Sequence, residues 1–247
     1  FFILGALKLY ITPVFMAANA VLLLLIAVQA KKLVPIAVPD IGWLKNSPLI
    51  IKGVFAVFVA FAVLNFIAAA APPTSADALL HHLTAPKIYL SEHSIVNIPS
   101  LQLMTEAPMS VNMIYLYGLK LLNGKLAQTI AWYLSFLAAL AVFMITAKIT
   151  TKQSAVVAAT IFATLPIFSV FNVRPYVDVP LAFFVLLATH FLLQWLERNE
   201  TKHAVLTGLF IGMAVSAKNT GLLTGAAFAI TIAVMFLRAP ADKRGRL

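Results

Sequence analysis

The 247 residues are 62% hydrophobic and only 11% charged, with a mean hydropathy of +0.97. A soluble domain carries roughly 25% charged residues and covers its surface with them, so this composition excludes a water-exposed globule and makes the chain an integral membrane protein. The lack of cysteine excludes disulfides and thiol chemistry. The net charge of +10 comes from cations clustered between apolar runs, as membrane anchors are, and does not call for nucleic acid as a partner.

A membrane-crossing helix needs roughly 20 mostly apolar residues, and the apolar runs predict an all-α polytopic bundle of about seven spans. Span 1 covers about 9–30, and the linker KKLVPIAVPDIGWLKNSP follows, broken by Pro35, Pro39 and Pro48. Span 2 runs from about Leu49 to Ala71 and stops at Pro72-Pro73. After a polar stretch come spans at about Leu126–Ala147, Ser154–Phe171 (bent at Pro166), Val179–Leu196, Ala204–Ala217 and Gly221–Leu237. The whole of 1–247 reads as a single transmembrane domain. The chain opens at Phe1 and ends in ADKRGRL directly after an apolar run, so a piece of a longer protein is expected. The first run is too long for a signal peptide and lacks a cleavage site. The absence of an internal repeat argues against an inverted-repeat transporter.

The stretch 72–125 is the one that membrane burial leaves unexplained. It holds Asp77, Glu92 and Glu106 of eight acids, His81, His82 and His93 of five histidines, and five prolines. It reads as a loop of short interfacial helices between spans 2 and 3. Thr74 or Ser75 caps a first helix with Asp77 in its first turn, which makes Asp77 and His81 neighbours on one face. Pro86 interrupts and starts a second helix through Glu92. Pro108 sits near the start of a third, whose Met109, Met113, Leu116 and Lys120 share a face suited to the membrane surface.

Lysine and arginine placement sets the expected orientation. Lys31, Lys32, Lys45, Lys52, Lys148, Lys152, Arg198, Lys202, Arg238, Lys243, Arg244 and Arg246 fall on one side, and only Lys8, Lys87, Lys120, Lys125, Arg174 and Lys218 on the other. The first side is then cytoplasmic. The loop 72–125 faces outward, and the same parity puts Asp178 and Lys218 beside it.

Each candidate has a structural and a functional reading. Asp77 either favours a helix dipole, worth under about 1 kcal/mol, or is a carboxylate base at the lipid–water boundary, where partial desolvation raises its basicity. Asp178, after Arg174-Pro175-Tyr176, is a good N-cap for the next span. Lys218 in SAKNTG suits a helix C-terminus. On the cation-poor side it also suggests an anionic partner such as a lipid phosphate, with Arg174 as a second donor. Asp77 and His81 could point at one metal ion, completed by Glu92 or His93. No standard ligand spacing is present, so no metal ligand is assigned and a divalent metal stays an option. His190 lies mid-span, where a hydrogen bond within the bundle is expected.

DALLHHLTAPKIYLSEHSI resembles the first external loop of the GT-C fold enzymes, polytopic glycosyltransferases that use polyprenyl-phosphate sugars. Protein O-mannosyltransferases and the lipid A aminoarabinose transferase are of this type. RPYVDVPLAFF resembles their second element, an aromatic and an acid opening a later span, and GMAVSAKNTGLL the third, a short span ending near a lysine. The three stand in the family's order over roughly Pro72–Leu237. The chain departs in having Ala78 where many members carry a second acid, in the extra span before the loop, and in lacking the later spans and C-terminal part.

The resemblance implies sugar transfer from a polyprenyl-phosphate donor to a lipid, glycan or protein acceptor at the outer face of the cytoplasmic membrane, in cell-envelope chemistry. Asp77 would be the base and the anomeric centre would invert. Lys218 and Arg174 would bind the leaving phosphate, Asp178 would orient the acceptor, a metal or Lys218, and His81 and Tyr176 would contact substrate. The alternatives are a transporter or lipid flippase, and a non-catalytic subunit of an envelope glycan complex.

Overall fold

The computed structural model describes residues 2–37, 41–105 and 107–238. Glu106 and three cations of the expected cytoplasmic set, Lys243, Arg244 and Arg246, lie outside the described residues, as does Pro39. Among the described residues the secondary structure is helical throughout. In chain order the helices are α1 Phe2–Ala6, α2 Thr12–Ala37, α3 Gly42–Lys45 and α4 Leu49–Ala69. A π-helical turn Ala78–Leu83 leads into α5 Thr84–Ser91, and a short turn Pro99–Leu101 into α6 Gln102–Thr105 and α7 Ser110–Leu121. The remainder are α8 Gly124–Ile149, α9 Lys152–Thr164, α10 Pro166–Asn172, α11 Asp178–Arg198, α12 Thr201–Ala217 and α13 Gly221–Arg238.

Helices α4, α8 and α11 are each long and apolar enough to cross a membrane, and α9 with α10 forms a fourth candidate bent by 69°. That bend falls at Pro166, which opens α10 where its missing N–H costs nothing. Thr12–Val21, α12 and Gly221–Leu237 are shorter apolar helices. The helix runs past the span drawn to residue 30, since α2 continues to Ala37. Lysines are good helix formers and Pro35 falls in the last turn, so a change from apolar to basic residues need not end a helix.

Small residues let the helices approach closely, as expected where lipid is the solvent. Ala127, Ala131, Ala138, Ala139 and Ala141 of α8 are buried, and so are Ala155 and Ala159 of α9 and Ala214 and Ala217 of α12. Large side chains turn outward instead, among them Leu49 and Ile50 on α4 and Leu222 and Leu223 on α13. The face of α7 made by Met109, Met113 and Leu116 is not spread on a membrane surface. It is buried against Tyr10, Phe15, Tyr89 and Ile98, because the residues before α2 and the 84–98 segment fold over it. The opposite face of α7, with Val111 and Tyr115, packs on Leu83, Ala127, Val177 and Ala214. The loop is therefore a packed layer fixed to one end of the bundle.

Candidate active site

The site begins where α4 stops. Pro72 and Pro73 cannot donate to the last carbonyls of that helix. Gln128 of α8 supplies the missing donor, its Nε2 reaching Ala68 O at 3.3 Å and Ala71 O at 3.1 Å. This fixes the chain as it enters the loop. Ser75 does not cap the helix that follows. Its hydroxyl pairs with that of Tyr176 and ties the loop entrance to the start of α11.

Asp77 lies in the first turn of the loop helix, as the sequence suggested, but the turn after it is wider than an α-helix. Pro86 falls in the first turn of the second helix, α5, two residues after its start at Thr84. The ladder ahead of it is relaxed into the π turn Ala78–Leu83, an arrangement frequent at functional sites. Widening the turn brings the fifth residue onward, as well as the fourth, round to face the first. Asp77 Oδ1 thus lies 3.6 Å from His81 Nε2 and Asp77 Oδ2 lies 3.7 Å from His82 Nε2. His82 Nδ1 meets Asn112 Oδ1 of α7 at 3.3 Å. Burial pulls His82 below the usual histidine value, against the opposing pull of Asp77, Asn112 and Asp178.

Asp178 opens α11 without acting as its cap, a position taken by Val177 with no side-chain bond. Its carboxylate accepts from Lys218 Nζ at 2.6 Å. Lys218 follows α12 in extended backbone, and the turn that carries it is tight. A Cβ on Gly221 would come within 2.2 Å of Ala214 O, so only glycine fits. The Tyr115 hydroxyl donates to Tyr176 O at 2.5 Å and holds the turn before Asp178. Burial first, and the Asp178 carboxylate second, push that phenol above its ordinary value, so it stays a donor.

Asp77, His81, His82, Asn112, Asp178 and Lys218 line one open cleft of about 380 Å³. Asp77 is 51% exposed and Asp178 and Lys218 are each 40% exposed, so both carboxylates and the ammonium are accessible from it. A site with a carboxylate and a lysine on separate helices can take a proton at one point and stabilise an anion at another. Arg174 and Tyr176 do not line the cleft. The guanidinium lies 5.9 Å from the centre of the Tyr176 ring, and that ring is buried beside His82, with centroids 5.7 Å apart.

The other histidines stay apart. His93 Nδ1 meets Tyr10 O at 3.2 Å and braces the N-terminal segment. Among the described residues no group of three or more His, Asp or Glu side chains is placed to hold a metal ion, so the grouping of Asp77 and His81 with Glu92 or His93 is not assembled. His190 Nε2 pairs with Gln194 Nε2 at 2.7 Å, as a bond within the bundle, while its buried Nδ1 has no partner among the described residues. Sequence reading missed His82 and Asn112. The His81-His82 doublet was the only signal, and α-helical spacing pairs Asp77 with the first histidine.

The family described as dolichyl-phosphate-mannose-protein mannosyltransferase matches residues 103–244, more than half of the chain. That stretch takes in Asn112, Asp178 and Lys218, while Asp77, His81 and His82 precede it. No curated protein and no solved structure matches the chain. With its apolar helices and this match, the chain belongs to the dolichyl-phosphate-mannose-protein mannosyltransferase family and is a multi-pass membrane glycosyltransferase of the GT-C type.

Proposed function

We propose that this enzyme transfers a sugar from a polyprenyl-phosphate donor to a hydroxyl of a lipid, glycan or protein acceptor, with inversion, at the outer face of the cytoplasmic membrane. The observation that carries the reading is the meeting of Asp77, Asp178 and Lys218, from three separate elements, around one cleft. The donor class follows the family. The outward orientation follows the lysine and arginine distribution, in which the cleft end is the poorer in cations.

In this mechanism the sugar enters the cleft with its lipid along the bundle. Asp77 accepts the proton of the attacking hydroxyl. A bond forms from that oxygen to the anomeric carbon as the bond to the phosphate oxygen breaks on the opposite face. The phosphate leaves with the electron pair, and Lys218 stabilises the added charge. Asp178 holds Lys218 in place. Arg174 and Tyr176 serve by packing the turn that carries Asp178.

The test is product formation by the purified chain in proteoliposomes, offered a panel of polyprenyl-phosphate sugars. Asp77→Asn should lower kcat by about 10²- to 10⁴-fold; undiminished turnover would remove Asp77 from the role of base. Orientation is read separately. The chain lacks cysteine, so Lys87→Cys should react with a membrane-impermeant maleimide in intact cells. Labelling only after permeabilisation would reverse the sidedness.

A further inference from the structure

His82 lies beside Asp77 with a wiring that the transfer reaction does not yet use. Its side chain is 14% exposed and is held from two directions. Asn112, buried on α7, presents its amide oxygen to Nδ1 at 3.3 Å, and the Tyr176 ring packs against the imidazole. An amide oxygen can only accept, so Nδ1 carries the hydrogen. In the neutral ring Nε2 then offers a lone pair, and Asp77 Oδ2 lies 3.7 Å from it. Two acceptors at that distance are one proton short of a bond.

We propose that His82 is the proton-accepting partner of Asp77, and that Asn112 positions it by fixing the tautomer that leaves Nε2 open. The inference rests on Asp77 being the base. The hydroxyl proton passes to Asp77 as the oxygen bonds to the anomeric carbon, and from Asp77 Oδ2 to His82 Nε2. Asp77 is then a carboxylate again, and the imidazolium donates to Asp77 on one side and to Asn112 on the other. The proton leaves to solvent through the open cleft, so the cycle needs no further reactant.

The charged and titratable groups around the ring fit this role. Asp77 and His81 face it from its own helical stretch, Asp178 from α11, and Lys218 reaches the same cleft from α12, paired to Asp178. The Tyr176 hydroxyl is paired with that of Ser75, and the Tyr115 hydroxyl donates to Tyr176 O. Burial outweighs the nearby acids in holding the resting imidazole neutral, which a proton acceptor requires, while Asp77 and Asn112 stabilise the cation once it forms.

The direct test is nitrogen NMR of the full chain, labelled at histidine, in lipid nanodiscs, with His82→Gln assigning the signal. At neutral pH the ring should be the Nδ1–H tautomer. Asn112→Ala should shift it toward Nε2–H, and Asn112→Asp, which keeps an acceptor oxygen, should preserve it. Asp77→Asn should lower the His82 pKa further. An Nε2–H ring in the wild type, or no response to Asn112→Ala, would overturn the assignment. The kinetic arm uses polyprenyl-phosphate mannose with water as acceptor. His82→Gln should lower kcat roughly a hundredfold at unchanged KM and abolish the acidic limb due to histidine. A retained kcat, or a loss confined to KM, would overturn the relay. Full turnover by Asp77→Asn, or none by the wild type, counts instead against the transferase mechanism and leaves the tautomer result standing.

Discussion

Helix α11 carries an acid near each end, and each acid holds a lysine from a neighbouring helix. At one end Asp178 accepts from Lys218 at 2.6 Å; at the other Glu197 accepts from Lys148 at 2.5 Å. The local chemistry is the same, and the surroundings are not. Asp178 and Lys218 are 40% exposed to a cleft that also holds Asp77 and His82. Glu197 is 57% exposed and Lys148 17%, and neither lines a described cleft of that kind. An ion pair therefore says little about function until its neighbours are known. What separates the two is convergence: π turn, α7, α11 and α12 all bring polar groups to the first, whereas the second joins two helix ends.

The largest effect that would break this comparison is at Lys218. Lys218→Met should reduce turnover by about 10²- to 10³-fold, measured with the same donor panel, and Asp178→Asn should cost less because the amide oxygen still accepts from Lys218. Equal activity in both variants would make the pair structural, like its counterpart.

A medium effect concerns pH and stability at the cleft end. The folded pKa of His82 lies below the unfolded value of about 6.5. Between those two values the unfolded chain binds more protons, so stability rises with pH. The contribution is complete above the unfolded value and is lost as pH falls toward the folded one. Thermal unfolding in nanodiscs should show this slope in the wild type and not in His82→Gln. A wild type that grows more stable on acidification would contradict it.

The smallest effect is expected at the far end. Glu197→Gln should leave turnover intact and change stability by about 0–1 kcal/mol, as for exposed pairs generally. A loss of activity comparable with that of Lys218→Met would mean that the two ends of α11 are not functionally distinct.

Much of the architecture was legible in the sequence because a lipid-facing helix must be apolar along its length. The runs at Leu49, Leu126 and Val179 mark α4, α8 and α11 to within a few residues, and Pro166 marks the bend. Pro72-Pro73 marks where α4 must stop. The candidate cleft was partly legible, since parity alone put Asp77, Asp178 and Lys218 at one end. Errors arose where tertiary packing decided a local choice. Asp178 reads as an N-cap from its neighbours, yet Lys218 draws its carboxylate across to α12. Met109, Met113 and Leu116 read as a membrane-surface face, yet the N-terminal segment covers them.

By itself, then, the sequence determined that the chain is a helical membrane protein, where most helices lie and which acids and lysine share an end, because hydrophobic length and charge counting act locally and one residue at a time. The tertiary structure decided that a second histidine, His82, meets Asp77 beside His81. That meeting depends on a π turn ahead of Pro86 and on Asn112 arriving from another helix, and no periodicity within the loop encodes either.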